Sequence, residues 1–439
     1  MKSPLSLLVA LALAGSAHSA DLLQVYRDAQ GYDAQYAAAR AARDAGLEKL
    51  PQGRAGLLPV IGLSANTTWN DVEAKARSAG AVKREADYNS NGWSLSLSQP
   101  LFRWQNWVGY QQAELAVAVA EAQFLQAGQD LMLRATQAYF DVLLAQETLA
   151  TAQAQKTAIA EQLEAAKRNF EVGTATITDT HEAQARYDLA AATEIAAEND
   201  LAVKRQTLRT LTGKEPETLK GLRGALQIGR PQPDDIGQWV ASAEGGNLAV
   251  QIAQTGFESA QREVEKQRAG HYPTLDLVAT HGKTGVGGNI TTGVGSDGKT
   301  STIGLQLALP IFSGGSVSSK DREAVALQEK ARADLDNARR QATLGARQAY
   351  LGVSAGLAQV RALEAGVASS QLAVESNKLG YEVGVRINID VLNAQSQLFD
   401  TRQRLAKARL DTLVSQLRLK SAAGSLSEDD LAAINALLE

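Results

Sequence analysis

Two kinds of hydrophobic pattern divide the chain. In GWSLSLSQPLF, residues 92–102, Trp93, Leu95 and Leu97 alternate with Ser94, Ser96 and Ser98. STIGLQLALPIF, residues 301–312, repeats the alternation with Ile303, Leu305, Leu307 and Leu309. Upstream of each, Ile61, Leu63, Ala65 and Trp69 line one side of a first strand, and Leu275, Leu277 and Ala279 one side of a third. Period-two alternation marks strands with one apolar face, and about ten residues is the length of a tilted strand that crosses a bilayer. The opposite faces are small or polar (Ser94, Asn66, Gln306, Asp276), as a water-filled lumen requires. A half-buried sheet in a soluble protein would alternate in the same way, so the aromatics carry the distinction. Trp69 and Trp93 are expected toward one end of the first hairpin, and Phe102, Trp104 and Trp107 toward the other, like two interfacial belts.

The rest reads as helix. Residues 108–172 and 316–383 contain no proline and little glycine, and are rich in Ala, Gln, Glu and Leu. Each predicts a helix about 100 Å long at 1.5 Å per residue. Their partners, 179–212 and 390–423, are half that length, and shorter helices at 22–50 and 236–269 would make up the difference by stacking end to end. Seams such as AELAVAVAEA and DLAAATEIAAEND are small-sided and allow close helix packing.

The pattern is written twice. QAYFDVLLAQ at 137–146 returns as QAYLGVSAGL at 348–357, FEVG at 170–173 as YEVG at 381–384, and TDTHEAQ at 178–184 as IDVLNAQ at 389–395, all offset by 211 residues. LLPVIGLSA at 57–65 and HYPTLDLVA at 271–279 match at an offset of 214. The expected organisation is therefore a signal peptide at 1–20, a first repeat at 21–213, a linker at 214–238, a second repeat at 239–424 and a tail at 425–439.

Composition narrows the function. There are no cysteines and four histidines, so thiol chemistry and Cys-based zinc sites are excluded. No cofactor or metal site is expected and an enzyme is not. The formal net charge of −4 gives no reason to expect a nucleic-acid partner. MKSPLSLLVALALAGSAHSA carries Lys2, an apolar run from Leu5 to Ala14 and small residues at Ala17 and Ala20, the build of an export signal. No later stretch is apolar enough for a membrane helix, so a membrane span must be made of strands.

GVGSDGKT at 293–300 matches G-x-x-x-x-G-K-[ST], the phosphate-cradling loop. That loop needs a buried strand before it and a helix after it. Here HGKTGVGGNITT precedes and STIGLQLALP follows, so the segment is expected to join the third and fourth strands as an exposed extracellular turn.

Four strands cannot close a barrel, and an open sheet in lipid leaves backbone groups unsatisfied. Three copies would supply twelve strands, an even number within the range of such barrels.

The chain resembles the TolC family of outer-membrane efflux and secretion ducts over residues 21–435. The marks are DLLQVYRDA at the mature start, LLPVIGL and HYPTLDL leading into strands, LALPIFSGG, the paired EVG turns followed by TITD and INID, and LKSAAGSLSEDDLAAINALL. The resemblance implies a membrane β-barrel plus a long α-helical barrel. It implies a homotrimer with a twelve-stranded barrel in the outer membrane and a helical tunnel across the periplasm. That tunnel would dock onto a periplasmic membrane-fusion adaptor and an inner-membrane pump, ABC-type or proton-driven, to export drugs or type I secreted proteins. The alternative is a periplasmic helical scaffold without a pore.

The resemblance also assigns sites. Gly173 and Gly384 fall in the adaptor-docking tip, and each also sits between a long and a short helix, where a C-cap belongs. Asp390 falls at a carboxylate ring narrowing the tunnel. Three such carboxylates about 6 Å apart at an effective dielectric of 20 repel by roughly 3 kcal/mol per pair. Asp179, Tyr381 and Arg386 fall at a latch that holds the tunnel closed, and an exposed Asp–Arg pair there contributes only about 0–1 kcal/mol. Asp179 and Asp390 could equally serve as helix caps. Where some members carry a second acidic residue one turn on, this chain has Asn393, so its constriction is less charged.

Overall fold

The computed structural model describes residues 20–75, 77, 80, 82–214, 218–223 and 228–439. The expected signal peptide lies outside the described residues, Ala20 excepted, as do 215–217 and 224–227 of the linker. Two compact units form, each drawing on both halves of the sequence. Among the described residues, one comprises 20–41, 122–251 and 337–439, the other 42–121 and 252–336.

The second unit holds the sheet. Strands β1 (Val60–Ala74), β2 (Arg84–Phe102), β3 (Thr274–Val286) and β4 (Ser296–Ala308) form one antiparallel meander in the order β1-β2-β3-β4. Its register carries the period-two pattern across all four strands. Ile61 faces Leu97, Leu97 faces Ala279, and Ala279 faces Ile303. One rung on, Leu63, Leu95, His281 and Ser301 line up on the same side. Directly opposed residues share a face, so the apolar rows merge into one band. Gly62, Ser96, Thr280 and Thr302 form the other face.

The strands run longer than the ten or so residues expected, at 15, 19, 13 and 13. The first hairpin continues past the apolar band as a polar ladder in which Asp71 faces Asp87 and Glu73 faces Glu85. Lys83 holds both Glu73 and Glu85. Alternation detects strands by their apolar face, so it stops where both faces become polar. For the same reason five of the eight residues of GVGSDGKT lie in β4 rather than in a turn. Their amides face Val286 to Gly282 across the ladder, a geometry that serves a sheet and not a phosphate.

Longer strands also change the level of one belt residue. Trp69 stands four residues above Ala65, the partner of Trp93, which packs edge-on to His281 at 5.6 Å. Trp93 thus lies about 13 Å nearer the helical end than Trp69. Phe102 ends β2, beyond a register shift at Pro100. Trp104 opens the helix that follows and donates Nε1–H to Glu265 at 3.1 Å, while Trp107 stacks on Tyr110.

Helices α1 (Leu22–Tyr32), α2 (Ala34–Leu47) and α3 (Lys49–Ala55) precede β1, and α4 (Trp104–Glu171) and α5 (Ile177–Thr212) follow β2. In the second half α6 (Ile236–Gly246) and α7 (Leu248–Arg268) precede β3, and α8 (Ser316–Glu382), α9 (Asn388–Ala422) and α10 (Glu428–Asn435) follow β4. The expected helices at 22–50 and 236–269 are both interrupted, at Asp33 and at Asn247. Each residue satisfies the helix start behind it: Asp33 accepts from the Tyr36 amide at 2.7 Å, and Asn247 from those of Ala249 and Val250.

The first unit has a conventional core. Leu22, Tyr26, Leu131, Tyr139, Phe140, Leu208, Leu413, Leu417 and Leu431 pack together, each at most 2 % exposed. The repeated QAY motif has a purpose in it. Tyr139 donates its hydroxyl to the Lys220 carbonyl at 2.8 Å and Tyr350 donates to Asp234 at 2.8 Å, so each copy ties down part of the linker.

Candidate functional site: the paired helical turns

The turns α4–α5 and α8–α9 are built alike. Gly173 has φ 77° and Gly384 φ 79°, the left-handed region in which a side chain is strained. Before each, one carbonyl takes two amides. Asn169 O accepts from Thr174 and Ala175 at 2.8 and 3.2 Å, and Gly380 O from Val385 and Arg386 at 2.9 and 3.0 Å. These are C-cap arrangements that satisfy the last helical carbonyls. Asn169 and Gly380 stand at the repeat offset of 211, so the duplication that pairs the two glycines pairs these carbonyls as well.

The helix starts that follow are not alike. α5 opens on a full capping box: Thr176 Oγ1 accepts from the Asp179 amide, and the Asp179 carboxylate accepts from the Thr176 amide at 2.9 Å. α9 opens on Ile387, which has no side-chain acceptor. Asp390, the repeat mate of Asp179, is therefore released from capping, and Arg386 lies 3.6 Å from its carboxylate. Both side chains are partly solvated, so the pair contributes about 0–1 kcal/mol.

Tyr381 joins the two turns. Its hydroxyl accepts from Asn169 Nδ2 at 2.9 Å. Around this bond a cleft of about 660 Å³ is lined by Asn169, Thr174, Asp179, Tyr381, Gly384 and Arg386, among others. The residues assigned to a latch thus share one cleft, while within the chain Arg386 engages Asp390 and Asp179 engages Thr176. At the edge of the cleft Asn388 is 3 % exposed, and neither its amide nitrogen nor its oxygen has a partner among the described residues. An unpaired buried amide of this kind costs about 1–3 kcal/mol. Arg186 reaches Asn393 at 3.0 Å, so the position that departs from the acidic pattern is held across α5 and α9.

No group of three or more His, Cys, Asp or Glu residues that could hold a metal is present among the described residues.

The comparisons agree with this architecture. The protein-family model described as "Outer membrane efflux protein" matches residues 25–214 and 239–425. The chain is 33 % identical over 447 residues to "Outer membrane protein TolC" of Escherichia coli (strain K12), covering 99 % of this chain and 89 % of that one. It is 34 % identical to "Alkaline protease secretion protein AprF" of Pseudomonas aeruginosa, covering 96 % and 88 %. Among solved structures, the outer membrane protein VceC of Vibrio cholerae superposes with a TM-score of 0.77 at 19 % identity, covering 92 % of this chain and 96 % of that one.

A sheet with one apolar and one polar face, duplicated helical hairpins, and relatives of 33–34 % identity over nearly the whole chain together define an outer-membrane channel protein. The chain belongs to the outer membrane efflux protein family, and its place is the outer membrane.

Proposed function

We propose that three copies of the chain assemble into a continuous export duct, with a twelve-stranded barrel in the outer membrane and a helical tunnel in the periplasm. One observation carries this reading. The sheet has an apolar band on one face, and among the described residues no strand covers the outer edges of β1 and β4. In lipid both edges must be paired, and copies of the same chain supply the pairing. The cleft at the paired turns is the docking tip for a periplasmic adaptor, and Gly173 and Gly384 shape it. Asp390, free of capping duty, forms the three-fold constriction, and Asp179, Tyr381 and Arg386 close it between neighbouring helices. Energy comes from an inner-membrane pump. The cargo is drugs, type I secreted proteins or both: the matching family is described as an efflux protein, and two relatives are named for protease secretion.

Conductance in a planar bilayer tests the reading. The purified protein is expected to form a pore blocked by multivalent cations from the periplasmic side, and Asp390→Ala to weaken that block. A pore with unaltered block in the variant removes Asp390 from the constriction, and absence of any pore overturns the duct.

A further inference from the structure

The two open edges of the sheet are offset in height, and the offset fixes how copies join. Hydrogen-bonded rows run straight across the four strands: Val60, Ser98, Val278 and Gly304 form one row, and Ala65, Trp93, Lys283 and Lys299 another. On this scale β4 stands level with only the first nine residues of β1, Val60 to Thr68. Its last four, Leu305 to Ala308, hang below the start of β1. All thirteen residues of β4 are exposed, as are nearly all of β1.

Charge follows the same offset. Lys299 faces Lys283, and Lys283 is already paired with Asp297 at 3.2 Å. Among the described residues Lys299 has no carboxylate partner. At the other edge Asp71 faces Asp87, and neither has a cationic partner among the described residues. Like charges directly opposed in a sheet are destabilising. Each edge therefore carries a charge conflict that the opposite charge on the other edge would relieve. Lys299 and Asp71 share the face that carries the apolar band.

We infer that β4 of one copy pairs with β1 of the next at a shift of four to six residues, which brings Lys299 against Asp71 of the neighbouring copy. This rests on the trimeric reading above and adds its register. A shift of four sets Leu307, Leu305 and Ile303 opposite Ile61, Leu63 and Ala65, with Lys299 beside Trp69 and diagonal to Asp71. A shift of six sets Lys299 directly opposite Asp71. Either shift lets every residue of β4 find a partner in β1, and an odd shift would turn apolar residues to the lumen. At zero shift Lys299 would instead lie against Ala65, inside the apolar band. Summed over three seams, the stagger of a twelve-stranded barrel gives strands tilted by roughly 35–50°, which overlaps the usual range for barrels.

Because the chain has no cysteine, introduced thiols are the only ones present. Leu305→Cys is combined in turn with Ile61→Cys, Leu63→Cys, Ala65→Cys and Thr67→Cys, and each full-length protein is oxidised in outer-membrane fractions. Within one chain β1 and β4 are separated by two strands, too far for a disulfide. Covalent oligomers are expected at several-fold higher yield for Leu63→Cys or Ala65→Cys than for the flanking pairs. Highest yield at Ile61→Cys or Thr67→Cys overturns the register while leaving the trimer standing. No cross-link from any pair, with a monomer in sedimentation, overturns the trimer itself. In a parallel test, Lys299→Asp and Asp71→Lys should each lower the temperature at which the oligomer dissociates in SDS, and the double variant should restore it. A double variant no more stable than the singles overturns the Lys299–Asp71 contact.

Discussion

Asp33 and Asn247 show what one polar residue does in this molecule. They stand at matching places in the two repeats and break helices that the apolar pattern would run straight through. Asp33 is 7 % exposed and is held by both terminal nitrogens of Arg134, at 2.9 and 3.0 Å. The hydrogen bonds from Arg134 hold its carboxyl below the ordinary value of 3.8, against the effect of burial. A carboxyl depressed on folding adds stability that is full above its unfolded value and is lost as pH falls through the depressed one. Arg134→Met leaves the carboxylate nearly buried and unpaired, which is expected to cost about 2–3 kcal/mol after allowance for the partial exposure of the arginine. Denaturant titration at neutral pH measures that loss. The gap between wild type and variant should narrow when the titration is repeated below pH 3.8, where the native carboxylate also begins to protonate.

At the scale of elements, the two helical turns are copies that have diverged in one respect. Thr176 commits Asp179 to the start of α5, whereas Ile387 leaves Asp390 free. Restoring the symmetry with Ile387→Thr should complete a capping box with Asp390 and stabilise the start of α9 by about 1 kcal/mol. Slower amide exchange across 387–391 is the readout of the cap. The same substitution is expected to weaken cation block of the pore although Asp390 is still present, because its carboxylate is drawn back to its own helix. Undiminished block together with slowed exchange would show that capping and constriction do not compete.

At the scale of the whole molecule, the two faces of the sheet have different solvents. Leu305 and Gln306 are neighbours on β4 and point to opposite faces. Leu305→Lys places a charge in the apolar band and should cost about 2–4 kcal/mol near the bilayer midplane. Gln306→Lys places the same charge on the polar face and should cost little. Heat-modifiable oligomer recovered from outer-membrane fractions distinguishes them: it should be sharply reduced for the first variant and close to wild type for the second. Equal recovery of the two would deny that lipid meets the Leu305 face.

By itself the sequence determined the element types, the duplication and the sidedness of the strands. These are periodic properties, and period two or 3.6 survives in a single chain without any knowledge of partners. The left-handed glycines at 173 and 384 were legible for the same reason, because a helix must end before its shorter mate begins. The lengths of the strands, the breaks at Asp33 and Asn247, and the placing of GVGSDGKT inside β4 were decided by the tertiary structure. The strand lengths and the placing of GVGSDGKT depend on cross-strand pairing, and the breaks are fixed by bonds to residues remote in sequence, from Arg134 to Asp33 and from Asn247 to the Ala422 carbonyl, which no local pattern records. The contrast between Asp179 and Asp390 belongs to both levels. The sequence wrote the threonine and the isoleucine, but only the folded turns show that one carboxylate is tied into its helix while the other is left out of capping and pairs with Arg386.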